Sequence, residues 1–512
     1  MNLAHELTQF NPHTASPEIL TALLEKWIEQ AKKDAAEIQH KETKIAALTY
    51  ELAWHKRMKF GAKTEAMSAQ QRDLFHESQA EDLAAIETQI EQLTPAAPTT
   101  KKKPTGRKPL PAALPRIDHR HEPDSCSCGA CGADLVKIGE DITEQLDVEP
   151  ARFTVQRHIR PQYACRACET VTAAAIPAAV IDGSLATPGL LAWVAIQKYV
   201  DHLPLYRIEQ ISTRHGAPIA RSTLAEWTGR IGVALQPLAN RLTELLKERP
   251  VLHADETPVQ QLDPGKGKTK RAYLWTYRST DLEDDPPIVV FQFHPGRGGQ
   301  YASQCLSGWQ GHLMVDDYAG YKHLFSQGIT ELACLAHIRR KFFELQVTTP
   351  HPVAEEALRR IGELYAIEAQ IKNGTREERQ QARAEHAQPR LEAMQLWLLQ
   401  TRQTTADGSA LARAIDHSLK RWPAISRYAA SGHLPIDNNP VENAIRPIAL
   451  GKKNWLFAGS QRAGERAASI QTLLATAKAN DIEPFAWLKE TLEKLPTTPN
   501  SRLDELLPLR KK

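Results

Sequence analysis

Four of the seven cysteines form two Cys-x-x-Cys pairs, Cys128 with Cys131 and Cys165 with Cys168. Thiolates at this spacing bind Zn²⁺ in a tetrahedron, and four sulfur ligands leave no open position for catalysis. The pairs therefore predict one structural zinc ion. Cys126 is an alternative first ligand, but its one-residue separation from Cys128 is a poorer chelating spacing.

Three acidic residues could hold a different kind of metal. Asp255 and Asp316 lie at the ends of apolar runs predicted as strands, and Glu442 opens a predicted helix. Three such carboxylates can bind two Mg²⁺ ions about 4 Å apart for phosphoryl transfer. Each acid also has a structural explanation as a turn residue or a cap. For Glu442 this is a capping box, with Asn439 as N-cap and Pro440 at the first helical position.

Basic residues cluster close to these acids and in a proline-rich stretch between Pro95 and Pro115. Lysine and arginine side chains interleaved with Trp455 and Phe457 suit contacts to DNA phosphates and bases. The alternative is a solvated helix face over two core aromatic residues. The residues predicted to contact DNA are Lys101, Lys102, Lys103, Arg107, Lys108, Arg339, Arg340, Lys341, Arg446, Lys452, Lys453, Arg462 and Arg466.

The composition is that of a soluble multidomain protein. The 512 residues are 42% hydrophobic and 24% charged, and 64 basic against 61 acidic residues give a net charge of +3. Any surface that binds DNA must therefore be a restricted patch in which the basic residues are concentrated. No apolar run is long enough to span a membrane and no export signal opens the chain, so we expect a cytoplasmic protein with reduced cysteines. Cys305 and Cys334 are predicted to be small buried hydrophobic residues.

The elements that must position the acids are predicted as a five-stranded mixed sheet followed by helices, in an α+β fold. A helical insertion of about residues 346–430 separates the strands from the helix of Glu442. The strand-like runs are VLHADETPV (251–259), RAYLWTYRS (271–279), PIVVFQFH (287–294), HLMVDD (312–317) and TELACLAH (330–337).

Two helical regions precede this sheet. Apolar residues recur every seven positions from Leu24 to Leu52, which predicts a long helix that either self-associates or packs on its own chain. Residues 176–248 have helix-turn-helix spacing, with Ser222 or Thr223 as the cap of the second helix, and this suits DNA binding or an ordinary helical pair. The predicted division is 1–94 helical coiled-coil and oligomerisation region, 95–122 basic proline-rich linker, 123–175 zinc ribbon, 176–248 helical region, 249–480 core and 481–512 tail.

Several blocks of the sequence resemble those of a known protein family. HADETP (253–258), VDDYAGY (315–321), CLAHIRRKF (334–342) and the long block of residues 437–468 resemble the bacterial transposases of the insertion sequence sixty-six family. ELAWHKRMKFGAKTE, GRKPLPAALPR and the cysteine pairs are similar to the amino-terminal helix, linker and zinc region of that family. Asp317 departs from the glycine that usually follows the second aspartate there.

The resemblance implies a DDE transposase with a ribonuclease-H-like core, which cuts the ends of its element and joins the 3′ hydroxyl to target DNA. Asp255, Asp316 and Glu442 match the catalytic positions, and two Mg²⁺ or Mn²⁺ ions are the implied cofactors beside the zinc. Because neighbouring side chains of a strand face opposite ways, Glu256 and Asp317 should point away from the ions.

The resemblance also implies partners. These are double-stranded DNA, as element ends and as target, a second copy of the chain in a homo-oligomer, and small accessory proteins, with no membrane and with a location at the bacterial nucleoid. Two alternatives remain. One is a nuclease or resolvase on the same fold that cuts without joining, and the other is a noncatalytic zinc-containing DNA-binding regulator.

Overall fold

The computed structural model describes residues 28–35, 38–42, 44–45, 48–49, 84–90, 110–112, 114–122, 130–131, 133–149, 152–263, 266–348 and 351–510. The described residues between 28 and 49 are helical, as the heptad pattern predicts. Ile38 is 57% exposed whereas Leu48 is buried. The terminal heptad positions Leu24 and Leu52, and the basic residues from Lys101 to Lys108, lie outside the described residues.

A small sheet precedes the helical region. It consists of β1 (Arg116–Arg120), β2 (Leu135–Glu149), β3 (Arg152–Cys165) and β4 (Val171–Ala173), with β3 paired to the other three strands. Strand β1 occupies the end of the segment predicted as a linker. The guanidinium of Arg116 donates to the carbonyls of Pro111 and Leu114 and pairs with Glu144, so this charge stabilises the local fold.

Three helices follow: α1 (Pro188–Tyr199), α2 (Leu205–Arg214) and α3 (Arg221–Leu246). The helix-turn-helix spacing is present, and Gly216 adopts a φ of 81° in the turn. The prediction that Ser222 or Thr223 caps α3 is wrong, because α3 begins at Arg221. Glu209 of α2 accepts the main-chain N–H of Arg221 at 2.9 Å and pairs with its guanidinium, which replaces a cap from within the helix.

The larger sheet confirms the predicted five-stranded mixed sheet. It contains β5 (Val251–Asp263), β6 (Lys268–Ser279), β7 (Val289–His294), β8 (His312–Val315) and β9 (Thr330–Ala333) in the spatial order β7-β6-β5-β8-β9. Strands β5, β6 and β7 are antiparallel, and β8 and β9 run parallel to β5.

Helices cover this sheet and form the insertion. After α4 (Gln300–Cys305) and α5 (Lys322–Phe325), α6 (Leu335–Thr348) leads into the insertion of α7 (Pro352–Gln370), α8 (Arg376–Ala382), α9 (Gln388–Thr404) and α10 (Ala410–Ser426). The insertion shares one hydrophobic core with the sheet, since the cluster that includes Ile361, Leu398 and Trp422 extends to Val251 of β5 and Met314 of β8. The predicted helical insertion is therefore present.

The chain then returns to the sheet through α11 (Asn439–Trp455), α12 (Gln461–Ala479) and α13 (Pro484–Lys494). Thr472 and Thr476 of α12 accept the main-chain N–H groups of Phe291 and Val289, which satisfies part of the edge of β7. The predicted tail is folded, since Leu488 is fully buried in the core that contains α1. No helix among the described residues is long and apolar enough to cross a membrane.

Candidate active site and zinc knuckle

Asp255 of β5 and Asp316, which directly follows the neighbouring parallel strand β8, stand at the same level. The β5–β8 register pairs His253 with Met314, so two residues further along Asp255 stands beside Asp316. Asp316 follows the last residue of β8, as predicted. Asp255, in contrast, is within β5 and not at its end, because β5 continues in its pairing with β6 to Asp263.

Negative charge is concentrated around Asp255. Burial, followed by the carboxylates of Glu256, Asp316 and Glu442, raises the pKa of Asp255 to about 8. Its Oδ1 accepts the main-chain N–H of Glu256 at 2.8 Å, and Oδ1 of Asp316 accepts the main-chain N–H of Tyr318 at 2.9 Å. The fold thus brings the three predicted carboxylates into one electrostatic cluster, whose mutual repulsion a cation would relieve.

Glu442 reaches this cluster from the first turns of α11. The capping-box explanation for Glu442 is wrong: the N-cap is Asn438, it makes no side-chain cap bond, and Asn439 and Pro440 are the first two helical residues. Glu442 is consequently one residue beyond the capping position. Its Oε1 is closed to solvent and makes no hydrogen bond with the described residues.

Asn438 holds the start of α11 against the sheet. Its side-chain NH₂ donates to the carbonyl of Ala254 at 3.0 Å, its Oδ1 lies 3.0 Å from Nδ1 of His253, and its main-chain N–H donates to the sulfur of Cys334 at 3.2 Å. Asn438 is fully buried. The residue therefore fixes the distance between the helix of Glu442 and the strand of Asp255, a role that sequence reasoning missed.

The two neighbouring acids have other partners. The Glu256 carboxylate accepts from Arg297 and from the hydroxyl of Tyr321. Asp317 pairs with Arg421 and Lys322, each at 3.1 Å, and these cations lower the pKa of Asp317 against the opposing effect of burial. Each of these acids thus has its own cationic partner, although the charge of Glu256 still contributes to the raised pKa of Asp255.

Cys334 and His337 also lie beside Glu442. The run TELACLAH is a strand only as far as Ala333, and its second half begins α6. Cys334 is buried as predicted, but it also accepts a main-chain hydrogen bond. His337 lies on the first turn of α6, 3.8 Å from Glu442 between Nδ1 and Oε1. The Cys334-x-x-His337 spacing was the available signal for this pair.

The cysteine cluster is partly described. Sγ of Cys131 lies 3.3 Å from Sγ of Cys165 and 3.6 Å from Sγ of Cys168. Tetrahedral zinc with bonds of about 2.3 Å separates its sulfur ligands by roughly 3.8 Å, so the three thiols fit that ion. The turn after β3 brings the second pair together, as the main-chain N–H of Cys165 donates to Thr170. Cys128 and Cys126 lie outside the described residues.

Five of the basic residues predicted to contact DNA have exposed side chains. Arg339, Arg340 and Lys341 lie on α6, and Arg446 and Lys453 lie on α11. The same two helices carry His337 and Glu442, so this positive surface flanks the acid cluster.

The remaining predicted contacts differ in exposure. Lys452 donates to a main-chain carbonyl of β5 at 2.9 Å, and Arg462 donates to Gln89 at 3.0 Å. Arg466 is only 5% exposed, and its stem packs over Gly232, where a Cβ would collide with it. Its burial leaves little of its side chain for a phosphate.

The aromatic residues between these cations are in the core. Phe457 is buried, and Trp455 packs against the cluster formed by β5, β6, β7 and α11. This favours their structural explanation over stacking on DNA bases.

Converging carboxylates flanked by exposed cations are typical of enzymes that act on nucleic acids. Comparison with protein families is more specific: the family described as Transposase IS66 family matches residues 183–466, and the chain belongs to it. The zinc-finger binding domain of transposase IS66 matches residues 125–169, and the IS66 C-terminal element matches residues 472–509. A further model, Transposase C of IS166 homeodomain, matches residues 47–118.

Similar proteins occur in Sinorhizobium fredii (strain NBRC 101917 / NGR234). The uncharacterized protein y4qI is 35% identical over 482 residues, which cover 91% of this chain and 89% of the relative. The uncharacterized protein y4jD is 37% identical over 412 residues, covering 78% of this chain and 81% of the relative. The four family models together confirm the family resemblance along most of the sequence.

Proposed function

We propose that this protein is a DNA transposase that binds two divalent cations through Asp255, Asp316 and Glu442, cuts the ends of its element and joins the freed 3′ hydroxyl to target DNA. The convergence of these three carboxylates in a member of a transposase family carries the proposal. Three antiparallel strands followed by two parallel ones support a ribonuclease-H-like core.

The acid cluster suits Mg²⁺ or Mn²⁺. These ions prefer oxygen ligands. The Oε1 of Glu442, which has no hydrogen-bond partner among the described residues, and the raised pKa of Asp255 together indicate a site with more negative charge than those residues neutralise. Cations bound there would activate the attacking oxygen and stabilise the leaving oxygen of the phosphodiester.

The surrounding residues orient the ligands. The main-chain N–H groups that bond Oδ1 of Asp255 and Asp316 fix the rotation of both carboxylates. Asn438 anchors the helix that delivers Glu442. Such preorganisation lowers the cost of assembling the site when DNA binds.

DNA would be held by the exposed cations of α6 and α11, with the linker lysines and arginines lying along phosphates. A structural zinc ion would be held by Cys131, Cys165, Cys168 and a fourth ligand, for which we propose Cys128. The amino-terminal helices would bring two copies of the chain together so that both ends of an element are processed.

A strand-transfer assay tests this function. Purified protein with Mg²⁺ and pre-cut, labelled element ends should join them to a target plasmid, whereas Asp255→Asn should still bind the ends without joining them. Asp263→Asn, at the far end of β5, is the matched control and should retain joining. Cleavage of uncut ends without joining would indicate a nuclease or resolvase. Undiminished joining by Asp255→Asn would contradict the catalytic role.

A further inference from the structure

The imidazole of His337 and the carboxylate of Glu442 face each other without a bond between them. Their Nδ1 and Oε1 atoms are 3.8 Å apart. Both atoms are closed to solvent, and within the described part of the chain neither makes a hydrogen bond. Burying two polar atoms without hydrogen bonds costs free energy of folding unless a third group binds both of them.

The separation fits two ligands of one cation. It exceeds the roughly 2.7–3.2 Å of a hydrogen bond. A cation with bonds of about 2.1 Å to a nitrogen and to an oxygen holds those two atoms about 3–4 Å apart. Only a modest adjustment of either side chain would therefore complete such a pair of bonds.

Cys334 completes a group of three side chains whose possible ligand atoms lie within 4.8 Å of one another. Its sulfur already accepts the main-chain N–H of Asn438 at 3.2 Å. We therefore leave Cys334 out of the ligand set and assign it to anchoring α11.

We propose that His337 Nδ1 is a nitrogen ligand of the cation that Glu442 holds, an inference that rests on the proposed function. A mixed set of imidazole and carboxylate ligands favours Mn²⁺ over Mg²⁺, which prefers oxygen ligands alone. With His337, the site should consequently bind Mn²⁺ more tightly than the three carboxylates would alone.

Electron paramagnetic resonance of Mn²⁺ bound to the full-length, zinc-loaded protein tests the ligand directly. Electron spin-echo modulation should show coupling to a ¹⁴N nucleus in the wild type and lose it in His337→Asn. His417→Asn is the matched control, since Nδ1 of His417 lies 3.6 Å from Asp317, outside the ligand set. It should keep the coupling.

Affinities measured by calorimetry give a second readout. His337→Asn should weaken Mn²⁺ binding by about tenfold, in the range of changes to metal-site residues, and Mg²⁺ binding much less. His337→Asp replaces nitrogen by oxygen, so it should remove the coupling while shifting the preference towards Mg²⁺. Circular dichroism confirms that each variant is folded.

The outcomes separate this inference from the proposed function. If Mn²⁺ binding depends on Asp255 and Glu442 but the wild type shows no nitrogen coupling, the assignment of His337 is wrong and the carboxylate site stands. If Asp255→Asn and Glu442→Gln bind Mn²⁺ as tightly as the wild type, both the assignment and the proposed metal site are overturned.

Discussion

The guanidinium of Arg421 donates a hydrogen bond of 3.1 Å to the main-chain carbonyl of Asp316. The same side chain pairs with Asp317 and Glu331 and is only 5% exposed. Arg421 belongs to α10 of the helical insertion, so a residue contributed by the insertion fixes the loop of a proposed metal ligand. The insertion is therefore a structural part of the proposed active site.

Replacing Arg421 should loosen that loop. Arg421→Met leaves two carboxylates with fewer partners in a mostly buried setting, and we expect a loss of about 2–4 kcal/mol in the free energy of unfolding. Chemical denaturation measures the loss. Arg402→Met is the control on the same insertion, because Arg402 pairs with the exposed side chains of Asp407 and Asp416. It should change stability little, and equal losses in both variants would contradict the role of Arg421.

Asn438→Ala tests the anchor of α11. The variant leaves the Ala254 carbonyl and the His253 imidazole without their partner, and the expected loss in the free energy of unfolding is about 2–4 kcal/mol. Asn443→Ala, at an exposed position of the same helix, should change it much less. If thermal denaturation gives the same midpoint for Asn438→Ala and the wild type, the hydrogen bonds of Asn438 do not support the site.

The sequence predicted the sheet and the three acids because both depend on local patterns. Apolar runs identify β5 to β9, and Asp316 and Glu442 fall close to the end of β8 and the start of α11, whereas Asp255 lies within β5. Asn438, His337 and Arg421 act through contacts with residues about 90 to 190 positions away in the chain. Apart from the Cys334-x-x-His337 spacing, no local pattern points to these residues, and none indicates their distant partners.

The wrong predictions have the same physical origin. The caps predicted for α3 and α11 followed local spacing. In the structure, Glu209 of α2 binds the first residue of α3. Contacts of Asn438 with β5 and Cys334 fix the start of α11 one residue earlier than predicted. Arginine is a common DNA contact, but the side chain of Arg466 packs into the space over Gly232, which has no Cβ. Tertiary contacts thus decide where a locally plausible element begins and which way its side chains point.

Stability without added divalent cations should depend on pH through Asp255. Its folded pKa of about 8 exceeds the ordinary value of 3.8, so the folded state binds more protons between these values. Stability should therefore fall as pH rises from about 5 to 8. Glu256, whose pKa burial also raises, contributes in the same direction. Urea denaturation of Asp255→Asn should show a shallower fall, and an unchanged slope would contradict the raised pKa.

Cation binding should show the opposite trend with pH. Asp255 must lose its proton to act as a ligand, so Mg²⁺ or Mn²⁺ affinity should rise towards pH 8 and then level off. Calorimetry in buffers of different ionisation enthalpy should count about one proton released at pH 7 and fewer at pH 9. Equal proton release at both values would show that Asp255 is already ionised at pH 7.

Zinc content tests the cysteine cluster. The purified protein should contain about one zinc ion per chain, and Cys165→Ser should lower that content and expose residues 133–168 to proteolysis. Cys128→Ser should have the same effect, whereas Cys126→Ser should retain the metal. Full retention by Cys165→Ser, measured by mass spectrometry of the metal, would contradict the zinc assignment.

The most direct test of the central claim is cleavage of labelled element ends by Glu442→Gln in the presence of Mg²⁺. The substitution keeps the size of the side chain but removes the charge that a cation requires. We predict normal binding of the ends and a loss of cleavage of about a thousandfold or more. Glu465→Gln, on the exposed side of α12, should still cleave. Near-normal cleavage by Glu442→Gln would contradict the assignment of this carboxylate to the catalytic site.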